Sequence, residues 1–162
     1  MSVLVNDRKE SRYQSIIFAV KLQTKLTDFA NRDFGVKDLK HLVQVRYAYG
    51  KDEMENYSKY RYLLQDCKTQ LNRTTALLTA NLVAAKSIYP TALSEYYQRR
   101  EYQNNAIANA SQLLTILQRT IDIFEVDVNA YEPYVKDINR EIELIKKWRQ
   151  RDNKIKSYLN KG

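Results

Sequence analysis

In 162 residues the only internal glycines and prolines are Gly35, Gly50, Pro90 and Pro133. A sandwich or barrel joins many short strands through turns, and each turn draws on residues that reverse the backbone cheaply. Four such residues do not fit an all-β fold. The segments between them are rich in Ala, Leu, Lys, Glu, Gln and Arg, which lose little side-chain freedom in a helix. The chain therefore reads as all-α, and its breakers divide it into four long helices.

The first helix is expected from about Asp7 to Asn31. It carries one apolar stripe of Phe18, Ala19, Leu22, Leu26 and Phe29, and a second, nearly opposite, of Tyr13, Ile16, Ile17, Val20, Thr24 and Thr27. A helix that is apolar on two sides needs two partners. After a turn at Gly35, Asp38–Tyr49 reads as a short helical piece broken at Gly50, and a long second helix follows from about Asp52 to Tyr89. Pro90 ends it, and Thr91 is a reasonable N-cap for a third helix running to about Phe124, with Leu93, Tyr96, Ile107, Ala110, Leu114, Leu117, Ile121 and Phe124 on one face. Asp127–Pro133 makes the last turn, and Val135, Ile138, Ile142, Ile145, Trp148, Ile155 and Leu159 step along a fourth helix. Short connections place such helices antiparallel, which gives an up-and-down four-helix bundle forming one domain over residues 1–162.

Catalytic chemistry finds little support. Cys67 lies on the apolar stripe of the second helix and reads as a small core residue. His41 is the only histidine and has no spacing partner for a triad, so it reads as a surface or core-edge residue. Glu-x-x-His pairs for a helical di-metal site are absent, as is a phosphate-cradling Gly-rich loop. An Arg-x(4–6)-His nuclease signature would need Arg in place of Phe34, Gly35 or Val36, and none of these is basic. Asp137, Glu141 and Glu143 interleave with Lys and Arg at ion-pair spacing. The expectation is a non-enzyme with no metal and no cofactor. Met1–Arg8 carries no secretory signal, no run is apolar enough to span a membrane, and a single cysteine suits a reducing cytoplasm.

Charge is the feature that asks for a partner. Lys plus Arg number 27 against 19 Asp plus Glu, a net +8. From Leu144 to Gly162 the basic residues are Lys146, Lys147, Arg149, Arg151, Lys154, Lys156 and Lys161, and the one acid is Asp152. Arg140, Lys147 and Lys154 recur at seven-residue spacing, so the cations form a stripe suited to a polyanion. A solvated helix end complementing its own dipole accounts for the same pattern about equally well. Tyrosines stand beside cations at Tyr60-Arg61-Tyr62 and Tyr96-Tyr97…Arg99-Arg100, an interleaving that suits unpaired bases, although a ring buried at a bundle rim explains most of them. Arg99 and Arg100, being adjacent, point to different faces, and one of them must approach an apolar stripe and find a fixed partner there. Gln103, Asn104, Asn105, Asn109 and Gln112 could likewise fix register if buried.

The segments RDFGVK (Arg32–Lys37), TANLVAAKSIYP (Thr79–Pro90), SEYYQRREYQNNAIANASQLL (Ser94–Leu114) and VDVNAYEPYVKDINREIELIKKWRQRDNK (Val126–Lys154) together resemble the accessory variability determinant (Avd) group of diversity-generating retroelements. The likeness covers most of the chain except His41–Met54 and rests on the order of segments. It implies a non-catalytic, basic four-helix bundle that assembles as a homopentameric barrel. It further implies binding to the element's reverse transcriptase and template-repeat RNA, with the cDNA as a further candidate ligand, in support of mutagenic cDNA synthesis. The positions it marks for nucleic-acid or polymerase contact are Arg99 and Arg100, then Lys146, Lys147, Arg149, Arg151 and Lys154; Arg140 joins them from the seven-residue stripe. Trp148 reads as a packing anchor between them. The alternative is a structural oligomeric bundle, similar to the proteins encoded within ribosomal RNA intervening sequences, acting through protein–protein contacts.

Overall fold

The computed structural model describes residues 11–46 and 53–161. Its helices are α1 (Ser11–Asn31), α2 (Leu39–Arg46), α3 (Glu53–Ser87), α4 (Leu93–Phe124), α5 (Glu132–Arg151) and α6 (Asn153–Asn160), with 3-10 turns at Asp33–Gly35 and Val128–Ala130. Gly50 and Asp52, expected to break one helix and start the next, lie outside the described residues. The long helices α1, α3, α4 and α5 close a ring in which α1 packs on α3 and α5, and α4 on α3 and α5.

Cross-helix contacts fix every neighbouring pair as antiparallel. Thr27 meets Asn72 and Gln23 meets Thr79 between α1 and α3. Asp66 pairs with Arg119 and Asn81 with Asn109 between α3 and α4. Lys25 pairs with Asp137, and Phe18 lies under Arg140, between α1 and α5. The bundle is therefore up-and-down, as the short connections require. Its interior is filled by Leu22 and Leu26 of α1, Leu71, Leu78 and Leu82 of α3, Leu113 and Leu117 of α4, and Ile138, Ile145 and Trp148 of α5. Cys67 is fully buried among them, and desolvation pushes its thiol up.

At the end of α1 the chain reverses through three consecutive residues of positive φ, Asp33, Phe34 and Gly35. Two of them carry side chains, so the turn needs tertiary support. Phe34 supplies it by burying its ring completely and accepting a 2.7 Å hydrogen bond at its carbonyl from the Tyr131 hydroxyl. Phe29 packs edge-on to both rings and stacks on Tyr134.

Three expectations are corrected. The buried line of α4 runs through Ala106, Ala110, Leu113, Leu117, Thr120 and Phe124, which leaves Ile107, Leu114 and Ile121 half-buried; small residues at the centre let α3 approach closely. The N-cap of α4 is Ala92, one residue after Thr91. Thr91 instead donates its backbone N–H and hydroxyl to Glu95, and these bonds hold that exposed carboxyl below its ordinary range. The last helix is interrupted at Asp152, which separates α5 from α6. On α1 the stripe of Ala19, Leu22, Leu26 and Phe29 is buried; of the second stripe, Ile16 packs against the core, whereas Ile17 and Val20 face out among the described residues.

Candidate nucleic-acid interface

The end of the bundle where α4 begins and α5 passes into α6 gathers most of the marked cations. Arg99 is the correction among them. It is 3% exposed, with its Nε 2.9 Å from one carboxylate oxygen of Asp152 and its Nη2 donating at 3.0 Å to the other. Its Nη1 donates to the Ile88 carbonyl, and the guanidinium lies 5.1 Å from the Trp148 ring centroid. Asp152, 4% exposed, also accepts from the Gln103 amide at 2.8 Å. Arg99 is thus the adjacent arginine that turns to the apolar side, and its fixed partner is the only acid in the basic C-terminal segment. This bidentate clamp ties α3, α4 and the α5–α6 junction together, so Arg99 does not face the surface.

Arg100 is half-buried at the rim. Its Nη2 donates to the Tyr96 hydroxyl, the Arg149 carbonyl and the Asn153 amide oxygen at 2.6, 2.8 and 2.9 Å. Arg149, also half-buried, donates to Asn104 at 2.9 Å. The Lys156 ammonium lies over the Tyr97 ring at 5.7 Å. Lys146 is exposed and only loosely paired, 3.8 Å from Glu143. Arg140 is exposed but set apart from this cluster, against Phe18 of α1. Lys147, Arg151 and Lys154 are exposed and make no ion pair among the described residues.

The geometry explains why so basic a helix end stays uncompensated. Asp152 could have neutralised one of its neighbours, but its carboxylate points inward to Arg99 and Gln103. Lys147, Arg151 and Lys154 therefore stay exposed without an ion pair among the described residues, while Trp148 and Ile145 anchor α5 from within. Lys147 and Arg151, four residues apart on α5, share one face, and Lys154 follows just past the interruption at Asp152 on α6. A short cationic ridge of this kind recognises phosphate by charge and leaves the bases unread.

Among the amides, Gln103 and Asn109 are buried and bonded, to Asp152 and Asn81 respectively. They fix the register of α4 against its two neighbours. Exposed Asn104 orients Arg149. His41 is exposed on α2, where Asp38 caps its backbone N–H. No cluster of three or more metal-ligating side chains occurs among the described residues. No helix among them is long and apolar enough to cross a membrane.

One residue of functional interest was missed. Glu141 does not pair along its helix: it is fully buried, and neither carboxylate oxygen has a hydrogen-bond partner among the described residues. Asp137 pairs across to Lys25, and Glu143 approaches Lys146. The signal was present in the spacing, because Ile138, Glu141, Ile145 and Trp148 step by three, four and three along the buried face. Comparison of the chain with protein-family models, curated proteins and solved structures gives no match.

Proposed function

We propose that this chain is a non-catalytic accessory subunit that binds the reverse transcriptase of a diversity-generating retroelement and its template-repeat RNA. The observation that carries the RNA part is the ridge of Lys147, Arg151 and Lys154, exposed and without ion pairs among the described residues, where the nearest acid, Asp152, faces inward to Arg99. The polymerase and the mutagenic role rest on the segmental resemblance described above. Phosphate binding by such a ridge is governed by counterion release, so affinity falls with salt. A triple Lys147→Ala, Arg151→Ala, Lys154→Ala variant should bind single-stranded RNA more weakly than the native chain. Its log-affinity against log-salt slope should be shallower by about 2, from roughly 0.7 per lost contact. Fluorescence anisotropy over a salt series measures this, and an unchanged slope would rule the ridge out. Pull-down of the reverse transcriptase encoded beside the gene tests the second partner.

Self-association is part of the same proposal, and a pentamer is the form that the resemblance implies. Its support is the outward stripe of α1. Val20 is 51% exposed, and the Gln23–Thr79 contact sets a register that brings it level with Val83 of α3, 50% exposed. Ile17 and Thr24 extend the same exposed side of α1. Light scattering of the native chain should give a multiple of 19.2 kDa, and a Val20→Glu, Val83→Glu variant should fall toward that mass. A structural oligomer without a nucleic-acid role would assemble in the same way yet retain no RNA at moderate salt.

A further inference from the structure

At the end of α3 remote from the Arg99 clamp, an open cleft of about 780 Å³ lies between that helix and the segment leading from the Asp33–Gly35 turn into α2. The distance from Arg61 to the clamp end of α3 is about 40 Å at helical rise. The cleft is lined by Lys37, Arg61 and Lys68, by Tyr57 and Tyr62, and by one acid, Asp33. Asp33 pairs with Lys68, which leaves Lys37 and Arg61 exposed and without ion pairs among the described residues. Tyr62 holds a ring that is 71% exposed, far more than packing requires, and half-buried Tyr57 lines the same cleft from one turn earlier on the helix. Asp33 is fixed in a positive-φ turn by the buried Phe34 next to it, so one wall of the cleft is built into the fold.

Two cations without ion pairs among the described residues and two tyrosine rings lining one concave site supply both kinds of contact that a nucleotide offers. A phosphate needs charge-assisted donors, and a base needs a flat apolar face. The volume falls in the range of about 300–1,000 Å³ usual for small-ligand sites. We propose that this cleft binds a nucleoside phosphate, with the phosphate between Lys37 and Arg61 and the base against Tyr62. The ligand is a free nucleotide or a phosphate-bearing residue of a single RNA strand. The inference does not depend on the ridge of α5 and α6, which lies at the opposite end of the bundle.

The test uses the full chain with two probes, ATP and a single-stranded oligoribonucleotide, in calorimetric titrations. A Lys37→Ala, Arg61→Ala variant should weaken binding about tenfold or more. Tyr62→Ala should weaken it about fivefold or more, and Tyr62→Phe should restore it because the stacking face remains. Thermal melting of each variant should match the native chain, since all three side chains are exposed. Loss with ATP identifies a free-nucleotide site, and loss with the oligoribonucleotide alone identifies a strand site. The proposal is overturned if neither probe binds, or if the cleft variants bind both probes as the native chain does. In the last case, weakening by the Lys147, Arg151, Lys154 variant would leave the proposed function standing without the cleft. Conversely, strand binding lost only in the cleft variants would move the RNA site away from the ridge.

Discussion

Asp152→Ala is expected to lower folding stability by about 3–5 kcal/mol, the usual effect of removing one partner of a buried ion pair. The loss comes chiefly from what remains. Arg99 would keep its charge at 3% exposure with the Ile88 carbonyl and the Trp148 ring as its neighbours, and Gln103 would lose its acceptor. Truncating the pair together should be far milder, because well-packed apolar residues often replace a buried ion pair at little net change. Arg99→Met with Asp152→Leu is therefore expected to recover most of the loss. Urea denaturation of the native, single and double variants measures both, and an alanine variant as stable as the native chain would refute the clamp. Because the pair is buried, the stability difference should change little with added salt. The same single variant should loosen the α5–α6 junction and with it the ridge, so its RNA affinity should fall although no ridge cation is removed.

Replacing Glu141 should have the opposite sign. Burial pushes its carboxyl up to about 9, against about 4.5 in an unfolded chain. The folded state then binds one more proton than the unfolded state between those values, so stability is greatest at low pH and declines as pH rises toward 9. At pH 7 the proton uptake disfavours folding by about 3 kcal/mol, taking 1.36 kcal/mol for each pH unit above the unfolded value. Glu141→Leu should remove that contribution and pack an apolar side chain beside Ile138 and Ile145, raising stability by about that much at neutral pH. Glu141→Gln should abolish the titration but leave a buried amide in place, and so gain less. The decisive measurement is the difference in stability between native and variant across pH 5 to 8: it should widen steadily with pH. A constant difference would mean that Glu141 does not titrate in this window.

Much of the architecture was legible before any coordinates. Gly35 and Pro90 fall at connections and Pro133 in the first turn of α5, since a long helical chain has few other means of turning. Cys67 and Trp148 are buried as their stripes predicted. The candidate site was legible as composition and not as geometry. The basic run on α5 and α6 was evident, and so was the need for one of Arg99 and Arg100 to turn inward; which of them did so, and what received it, was not. The acceptor, Asp152, lies 53 residues away in sequence from Arg99, beyond the reach of local periodicity. The cleft at Arg61 was hidden for the same reason, because Lys37 and Lys68 meet there only through a turn of unusual backbone geometry.

By itself the sequence determined the helical class, the four long helices and the surplus of positive charge. These follow from local propensity, from periodic apolar residues and from ion counts, all of which act within a few turns of one helix. Tertiary structure alone decided which charges are active. By turning Asp152 toward Arg99 it left Lys147, Arg151 and Lys154 bare, and by closing α5 against the core it buried Glu141 without a partner. Whether a charge is screened, paired or stranded depends on the distance to groups far along the chain, and only the packed bundle sets those distances.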